Sequence, residues 1–336
     1  MIETSFIILL ISFFIFYVIS ELSIKLKILT DTDYKKKQSF HNKAKSNTGG
    51  LCVISTLSIC NFIYFDFFNT ILIFSIFFFL VGFFDDLKFI TSPFIRFLSI
   101  VVLIIFLIVS QNFYVLNFGF PFFSNYINEI TLIVLTIIGF FLVLNGANLI
   151  DGFNGLLSIH SFIILSIIFL ILEKNFFFNR DVIIFILIAL IIFLYFNLIK
   201  QNLFLGDSGA YFFGSLIAIL VIETSNEIKN ISPFFFAILL FYLYFETLFS
   251  VTRKLYEGKN PFKPDENHLH MLCYKYLKNK KINSPNNLTG ILINFIFILF
   301  MIPTIFFFEN NLICIIYFLF LHIIYLIFYK VLREKY

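Results

Sequence analysis

Four aspartates stand at the ends of long apolar runs, where carboxylates could do chemistry. Asp85 and Asp86 end one run, Asp151 ends another, and Asp207 follows a third. An acid at the bilayer centre costs at least about 2.5 kcal/mol, so an acid at a helix end could simply reach water. That explanation serves for one Asp but less well for four, because each stands among other unusual residues. Carboxylates gathered on one membrane face could instead bind a divalent cation and phosphate.

A polar stripe closes the apolar run that leads to Asp151. Asn145, Asn148, Asp151 and Asn154 recur every third residue, a spacing that keeps neighbours on one helical face. Glycines between them allow close backbone approach or an unwound helix end. The alternative is a helix C-terminus capped by Asn and Gly, but a cap does not require three Asn and an Asp in register. The stripe therefore needs polar partners.

Residues 206–209 read Gly-Asp-Ser-Gly and open the eighth apolar run. The free backbone N–H groups at a helix start favour phosphate, and the Asp207 carboxylate could hold Mg²⁺ against the same phosphate. The same four letters occur in serine proteases, but a helical membrane context supplies no triad partners in the required order. We therefore predict that phosphate binds at this helix start.

Two loops rich in Lys and His could meet a soluble anionic substrate. His268 and His270 stand two residues apart beside several lysines. A zinc site would need two more soft or imidazole ligands nearby, and only Cys273 is at hand. Lys43 lies in the basic loop after the first run, where a solvated basic loop is the alternative. The prediction for the histidines is contact with an anion.

The elements that must position these residues are transmembrane helices. The chain of 336 residues is 60% hydrophobic and only 13% charged, and its apolar runs suit helices that cross roughly 30 Å of hydrocarbon. No internal repeat or linker divides it, so we predict one all-α polytopic membrane domain over 1–336. About eleven transmembrane helices are predicted, at 5–24, 49–66, 70–87, 93–110, 131–150, 154–172, 182–199, 209–225, 234–251, 288–307 and 312–330.

Basic residues predict the orientation of these helices. The connections on one side hold nearly all of the Lys and Arg, whereas those on the other hold only Lys174, Arg180 and Lys229. The positive-inside rule then makes the N-terminus periplasmic and the C-terminus cytoplasmic. Basic clusters beside membrane spans suit lipid headgroups and phosphates, and nucleic acid is not an expected partner. Three cytoplasmic loops are expected to contribute to the site: 25–48, 200–208 and 252–287.

Taken in order, these motifs resemble those of the polyprenyl-phosphate N-acetylhexosamine-1-phosphate transferase family. That family includes phospho-N-acetylmuramoyl-pentapeptide transferase and the bacterial undecaprenyl-phosphate N-acetylglucosamine-1-phosphate transferases. The resemblance covers roughly 35–272. Four motifs carry it in family order and with family-like separation: DD at 85–86, NxxNxxDGxxGL at 145–156, GDSG at 206–209 and HLH at 268–270.

The resemblance implies a reaction, a metal and a location. N-acetylhexosamine-1-phosphate would pass from a UDP-sugar to undecaprenyl phosphate, with release of UMP, as the first step of a cell-envelope polysaccharide. The site would lie on the cytoplasmic face of the bacterial inner membrane and use Mg²⁺, with Mn²⁺ as an alternative. Asp207 and Asn148 would hold the metal.

The resemblance also implies roles for the other residues. Asp85 and Asp86 would lie where the carrier phosphate attacks, and Asp151 would complete that cluster. His268 and His270 would engage the diphosphate or the sugar. The remaining substrate contacts would come from Asn145, Gly152, Asn154, Lys43 and Lys88.

Departures from the family pattern bear on the sugar more than on the reaction. Asn154 stands where many members have Asp, yet an amide offers both donor and acceptor to uracil. Met271 replaces a common His, and the triple-His signature of the pentapeptide transferase is absent, which favours an N-acetylhexosamine substrate. An ion- or proton-coupled transporter is the chief alternative, and it predicts acids near mid-span. The sugar and a homodimer are left open.

Overall fold

A computed structural model describes residues 2–31, 45–63, 70–89, 92–120, 128–172, 177–261, 263 and 265–335, which form thirteen α-helices. Turns of other helix types extend α7 (π-helix, Tyr195–Ile199) and α12 (3₁₀, Ile302–Phe306). The α-helices are α1 Ile2–Leu26, α2 Gly49–Ile63, α3 Thr70–Asp86, α4 Pro93–Gln111, α5 Glu129–Ile150, α6 Leu156–Ile171, α7 Phe177–Leu194, α8 Gly206–Glu227, α9 Pro233–Leu239, α10 Phe241–Tyr256, α11 Leu269–Asn279, α12 Pro285–Met301 and α13 Asn311–Arg333.

The all-α membrane fold is confirmed. Within the described ranges, seven helices are long and apolar enough to cross a membrane, or eight if α9 and α10 form one span bent by 72°. Every predicted transmembrane segment overlaps a helix. The number of crossings stays a prediction, because α2, α3 and α6 have only 15, 17 and 16 described helical residues. The orientation of the helices in the membrane also stays a prediction.

The helix α8 lies at the centre of the fold, and nearly all its residues from Gly206 to Ile222 are buried. It packs against α3 and α5, and α3 approaches it most closely at Gly82, where a Cβ atom would collide with the backbone of Asp207. Only glycine allows this approach. The C-terminal ends of α3 and α5 are thereby brought to the N-terminal end of α8.

A short extended segment borders the same end of α8. Strand β1 (Thr30–Asp31) pairs antiparallel with β2 (Lys45–Ser46). The chain after β2 continues alongside the segment before α8, with backbone hydrogen bonds from Ser46 N to Asn202 O (3.0 Å) and from Phe204 N to Ser46 O (2.7 Å). This small non-helical element, absent from the prediction, places the first loop beside the start of α8.

The long loop after α10 contains a helix that the sequence analysis treated as loop. Helix α11 buries His270, Met271, Leu272, Tyr274 and Leu277 and packs against α12 and α13. Its lysines face away from this buried side and make it too polar to resemble a span. The two histidines of the HLH motif therefore stand at the first turn of a packed helix.

Candidate functional site

Carboxylates from two other helices meet the start of α8. The carboxylate of Asp86, at the end of α3, accepts hydrogen bonds from the backbone N–H groups of Asp207 (3.0 Å) and Ser208 (2.9 Å). Asp151, at the end of α5, lies near both Asp86 and Asp207. We call Asp85, Asp86, Asp151 and Asp207 the acid cluster.

This arrangement corrects the expected use of the Gly-Asp-Ser-Gly segment. We predicted that its backbone N–H groups bind phosphate, but in this structure carboxylates of the protein occupy them. A carboxylate is stabilised at a helix start by the free N–H groups and by the helix dipole. Gly206 has φ +79°, and a Cβ atom there would lie 2.8 Å from Asp86 Oδ2, so the turn needs glycine. Asp86 is therefore a cap for α8 from another helix.

Arg96 links the other two acids of the cluster. It lies in the first turn of α4, and its guanidinium forms a close ion pair with Asp85 and a second with Asp207 at 3.3 Å. The Asp207 side chain is 37% exposed, whereas that of Asp85 is 16% exposed. Asn148 Nδ2 also donates to Asp207 Oδ1 at 2.7 Å. Asp207 is thus the accessible carboxylate of the cluster, held between an arginine and an amide.

The donor set around Asp207 suits Mg²⁺ that is held jointly with a substrate. Among the described residues, no three His, Cys, Asp or Glu side chains are placed to hold a metal by themselves. Mg²⁺ is commonly bound by one or two carboxylates, with substrate phosphates and water completing its octahedron. Asp207 offers carboxylate oxygens, and Asn148 offers its amide oxygen because its nitrogen already donates to Asp207. These residues fit a shared Mg²⁺ site.

The predicted asparagine stripe divides into three environments. Asn148 joins the acid cluster, whereas Asn145 donates to the carbonyl of Phe141 in its own helix (2.8 Å). Gly152 is exposed. Asn154 is buried with 3% exposure and faces α12. The third-residue spacing therefore brings one of the three asparagines, Asn148, to the acids.

Asn154 is clamped by the first turn of α12. Its backbone N–H donates to Asn286 Oδ1 and its Nδ2 donates to Asn287 Oδ1, both at 2.8 Å. Asn287 in turn donates to the carbonyl of Leu198 at 3.0 Å. Because that carbonyl can only accept, Asn287 must present its oxygen to Asn154, and the orientation of both amides follows. Asn154 Oδ1 is left buried and without a protein donor.

The two histidines of the HLH motif differ in their surroundings. The Nδ1 and Nε2 atoms of His268 lie 3.0 Å from Glu246 Oε1 and 3.2 Å from Asp265 Oδ1. His270 Nδ1 lies 3.2 Å from the hydroxyl of Tyr242, and its Nε2 is buried without a partner. Burial lowers the pKa of His270 to about 3, so this histidine is neutral. His268 is ion-paired within the protein, whereas His270 keeps a free nitrogen.

Aromatic contacts join the HLH motif to the glycine-rich turn after α5. The Phe153 ring lies 5.4 Å from the His270 ring and 5.5 Å from the Tyr274 ring, between centroids. Phe153 is buried and sits between Gly152 and Asn154. The start of α11 and this turn therefore pack as one unit, as two parts of a common site require.

The predicted lysine contacts remain predictions. Lys88 is exposed on the turn after α3, where its φ is +62°, and the described part of the chain offers it no ion pair. Lys43 lies outside the described residues.

Sequence reasoning missed Arg96 and assigned Glu246 only a structural or transport-like role. Arg96 is an isolated cation in the first turn of an apolar helix, and a buried acid cluster close by is the partner that such a cation needs. Glu246 is an acid inside an apolar helix, which by itself marks a functional or tightly paired group. Both signals are present in the sequence, but only the fold identifies the partners.

The fold and the site together define an all-α, multi-pass membrane protein with an acidic centre where several helix ends meet. Residues 68–225 match the Glycosyl transferase family 4 profile. The chain is 30% identical over 261 residues to the undecaprenyl-phosphate alpha-N-acetylglucosaminyl 1-phosphate transferase of Thermotoga maritima, covering 78% of each chain. It is 33% identical over 164 residues to the phospho-N-acetylmuramoyl-pentapeptide-transferase of Dictyoglomus turgidum, covering 46% of this chain and 52% of that protein. The chain belongs to glycosyl transferase family 4, and it is a transferase.

Proposed function

We propose that this enzyme transfers N-acetylhexosamine-1-phosphate from a UDP-sugar to undecaprenyl phosphate and releases UMP. The reaction would begin a cell-envelope polysaccharide at the cytoplasmic face of the bacterial inner membrane. The observation that carries this proposal is the meeting of Asp85, Asp207, Asn148 and Arg96 at the start of α8. The names and identities of the two relatives support the same reaction class.

The chemistry asks the site to bring two anions together. A phosphate monoester has a second pKa of about 6, so the carrier phosphate is already an anionic nucleophile at neutral pH. Its oxygen would attack the β-phosphorus of the UDP-sugar, forming a new P–O bond while the bond to UMP breaks. Deprotonation is not needed, and repulsion between the reactants is the barrier that the site must lower.

The residues of the acid cluster would have different roles in this step. Among the described residues, Arg96 is the cation that pairs with the acids, and its guanidinium would exchange the contact with Asp85 for one with the incoming phosphate. Asp207 and Asn148 would hold Mg²⁺, which when bound neutralises the diphosphate and stabilises the departing UMP. Both oxygens of Asp86 bind backbone N–H groups, which favours a capping role over attack on phosphorus. Direct transfer without an aspartyl intermediate is therefore the proposed route.

Recognition of the donor would come from the turn after α5 and from α11. Gly152 is exposed beside the acid cluster, and its backbone could approach uracil closely. His270 offers a buried, unpaired Nε2 next to Phe153 and would contact the diphosphate or the sugar. The amide of Asn154 is turned towards α12, so its part in base recognition would be to hold this turn in place.

The experiment that tests the proposal is UMP release by the purified protein. The protein is given undecaprenyl phosphate, Mg²⁺ and each member of a panel of UDP-N-acetylhexosamines. Release that requires the lipid, the metal and one sugar supports the proposal and identifies the donor. Absence of release with every sugar, from protein shown to be folded, would reject it and direct attention to transport assays.

A further inference from the structure

Glu246 is a buried acid to which the proposed reaction gives no task. It lies in α10 and is 1% exposed. Three donors surround it: His268 Nδ1 and the backbone N–H of Leu269 face Oε1 at 3.0 and 3.2 Å, and the Tyr325 hydroxyl donates to Oε2 at 2.6 Å. A carboxylate removed from water in this way persists only when its hydrogen bonds and charge are matched. Glu246 is therefore a fully satisfied anion.

The charge that matches Glu246 is His268. Its two ring nitrogens face two different carboxylates, those of Glu246 and Asp265. A carboxylate accepts and does not donate, so a neutral imidazole in this place would turn an unprotonated nitrogen towards one of the two carboxylates, whereas a doubly protonated ring would not. Burial lowers the pKa of His268, but the hydrogen bond to Glu246 and the adjacent negative charge of Asp265 outweigh burial and raise this pKa above its ordinary value. His268 is an imidazolium held between two anions.

Further residues around His268 and Asp265 complete this group of charges. Arg253 lies 2.7 Å from Asp265 Oδ2 and 3.9 Å from Glu257 Oε2, and Glu257 is itself paired with two other cations. Burial raises the pKa of Asp265, yet the adjacent positive charges of His268 and Arg253 hold that pKa well below the usual range. The His270 ring stacks on the His268 ring, with centroids 5.3 Å apart and planes within 5° of parallel. We call Glu246, His268, Asp265 and Arg253 the histidine network, and it holds two anions and two cations.

The network fixes the beginning of α11. Through Leu269 N–H and His268, one carboxylate oxygen of Glu246 holds the residue before the helix and the first residue within it. His270 follows in the same turn and contacts Phe153, which belongs to the turn between the acid cluster and Asn154. Displacement of Glu246 would therefore move His270 relative to that turn.

We propose that Glu246 is a positioning residue of the transferase, which holds His268 as an imidazolium and thereby sets the place of His270 in the site. His268 contributes a fixed charge and a fixed position, and it exchanges no proton during turnover. This inference rests on the proposed function for its effect on turnover. It also makes a claim about the charge of His268 that holds whatever the substrate is.

The test compares Glu246→Gln with wild type from about pH 6 to about pH 8.5. Glutamine keeps an oxygen near His268 but removes one of the two charges that hold the proton, so the pKa of His268 should fall towards its ordinary value of about 6.5. We expect UMP release within about threefold of wild type at the acid end and at least about tenfold lower at the alkaline end. Asp265→Asn should change the pH dependence of UMP release in the same direction. This second variant replaces Glu246→Gln in the test if Glu246→Gln does not fold.

Glu129→Gln is the matched control. Like Glu246, Glu129 accepts a hydrogen bond from a tyrosine hydroxyl (Tyr114, 2.9 Å), but it lies at the start of α5, at the opposite end of that helix from Asp151. Its pH profile should match that of wild type. An equal loss of activity at every pH in both Glu246→Gln and Asp265→Asn would show that the network only supports the fold, and the proposal would be abandoned.

A second readout separates this inference from the proposed reaction. Nitrogen-15 NMR of histidine-labelled protein distinguishes an imidazolium from a neutral ring, and the chain has only five histidines. In wild type at about pH 8, one histidine should keep both protons, and its signal should disappear in His268→Gln. A neutral His268 at that pH would overturn the inference even if UMP is released. An imidazolium in a protein that releases no UMP would leave the charge claim standing and reject the reaction.

Discussion

The acid cluster and the histidine network lie on the same side of the fold but balance their charges differently. In the part of the chain that the structure describes, the acid cluster sets four aspartates against one arginine, and Asp207 is 37% exposed. The histidine network sets two acids against two cations, all inside the protein except for part of Asp265. Accessible negative charge that exceeds the nearby positive charge attracts a divalent cation, either free or bound to a phosphate group. Matched and buried charge fixes a position. We infer that the acid cluster contacts the metal and the reactants, whereas the histidine network holds parts of the site in position.

The largest effect is expected from the accessible member of the acid cluster. Asp207→Asn removes the carboxylate that we propose binds Mg²⁺ but keeps the backbone N–H that donates to Asp86. We expect Mg²⁺-dependent UMP release to fall about a hundredfold or more, equivalent to about 2.7 kcal/mol in the barrier. Steady-state assays across a range of Mg²⁺ concentrations provide the measurement.

The same preparations check that the loss is specific. Asp207→Asn should show the wild-type midpoint of thermal unfolding, and Glu129→Gln should keep both activity and stability. Near-normal turnover by Asp207→Asn would show that Asp207 is not needed for metal binding. It would also contradict the proposal that the acid cluster, unlike the histidine network, binds the metal.

The next effect is expected from the single cation of the acid cluster. Arg96→Ala leaves Asp85 and Asp207 without their shared partner and increases the repulsion that an incoming phosphate meets. Charged hydrogen bonds contribute roughly 1.5–3 kcal/mol, so we expect turnover to fall about tenfold to a hundredfold. Arg96→Lys should recover part of this activity, because it restores the charge without the guanidinium geometry. Equal loss in both variants would indicate that the geometry and not the charge is needed.

A smaller effect separates the two neighbouring acids of α3. Asp86 caps α8, and loss of a helix cap costs about 0.5–2 kcal/mol. Thermal unfolding in detergent should show a lower midpoint for Asp86→Ala, with Asp86→Asn closer to wild type because an amide can still accept. Asp85→Asn should lower turnover and leave the midpoint almost unchanged. Reversal of this pattern would show that Asp85, and not Asp86, caps α8.

The smallest effect concerns the clamp on Asn154. Asn287→Ala removes one hydrogen bond to the Asn154 side chain, worth about 1 kcal/mol. We expect about a fivefold higher KM for the UDP-sugar with little change in kcat, measured at saturating lipid. Asn311→Ala is a matched control, since Asn311 forms similar amide bonds with Gly119 and Ser232 outside the site. An unchanged KM in Asn287→Ala would leave this clamp without a role in recognition.

The sequence predicted the acid cluster because its four aspartates stand at the ends of apolar runs, each among other unusual residues. It could not show that Asp86 binds the backbone of Asp207, since that contact depends on α3 approaching α8 at Gly82. It could not distinguish His268 from His270 either. Their difference arises from Glu246, a residue 22 positions before His268 that only the fold brings into contact with it.

The most direct test of the account follows the β-phosphorus of the donor. UDP-sugar labelled with ³²P at the β-position is incubated with undecaprenyl phosphate, Mg²⁺ and the purified protein, and the lipid phase is separated from the aqueous phase. We predict that the label moves to the lipid together with the sugar, and that Asp207→Asn prevents this. Sugar in the lipid phase without the labelled phosphorus, or label that stays in the aqueous phase while UMP is released, would contradict it.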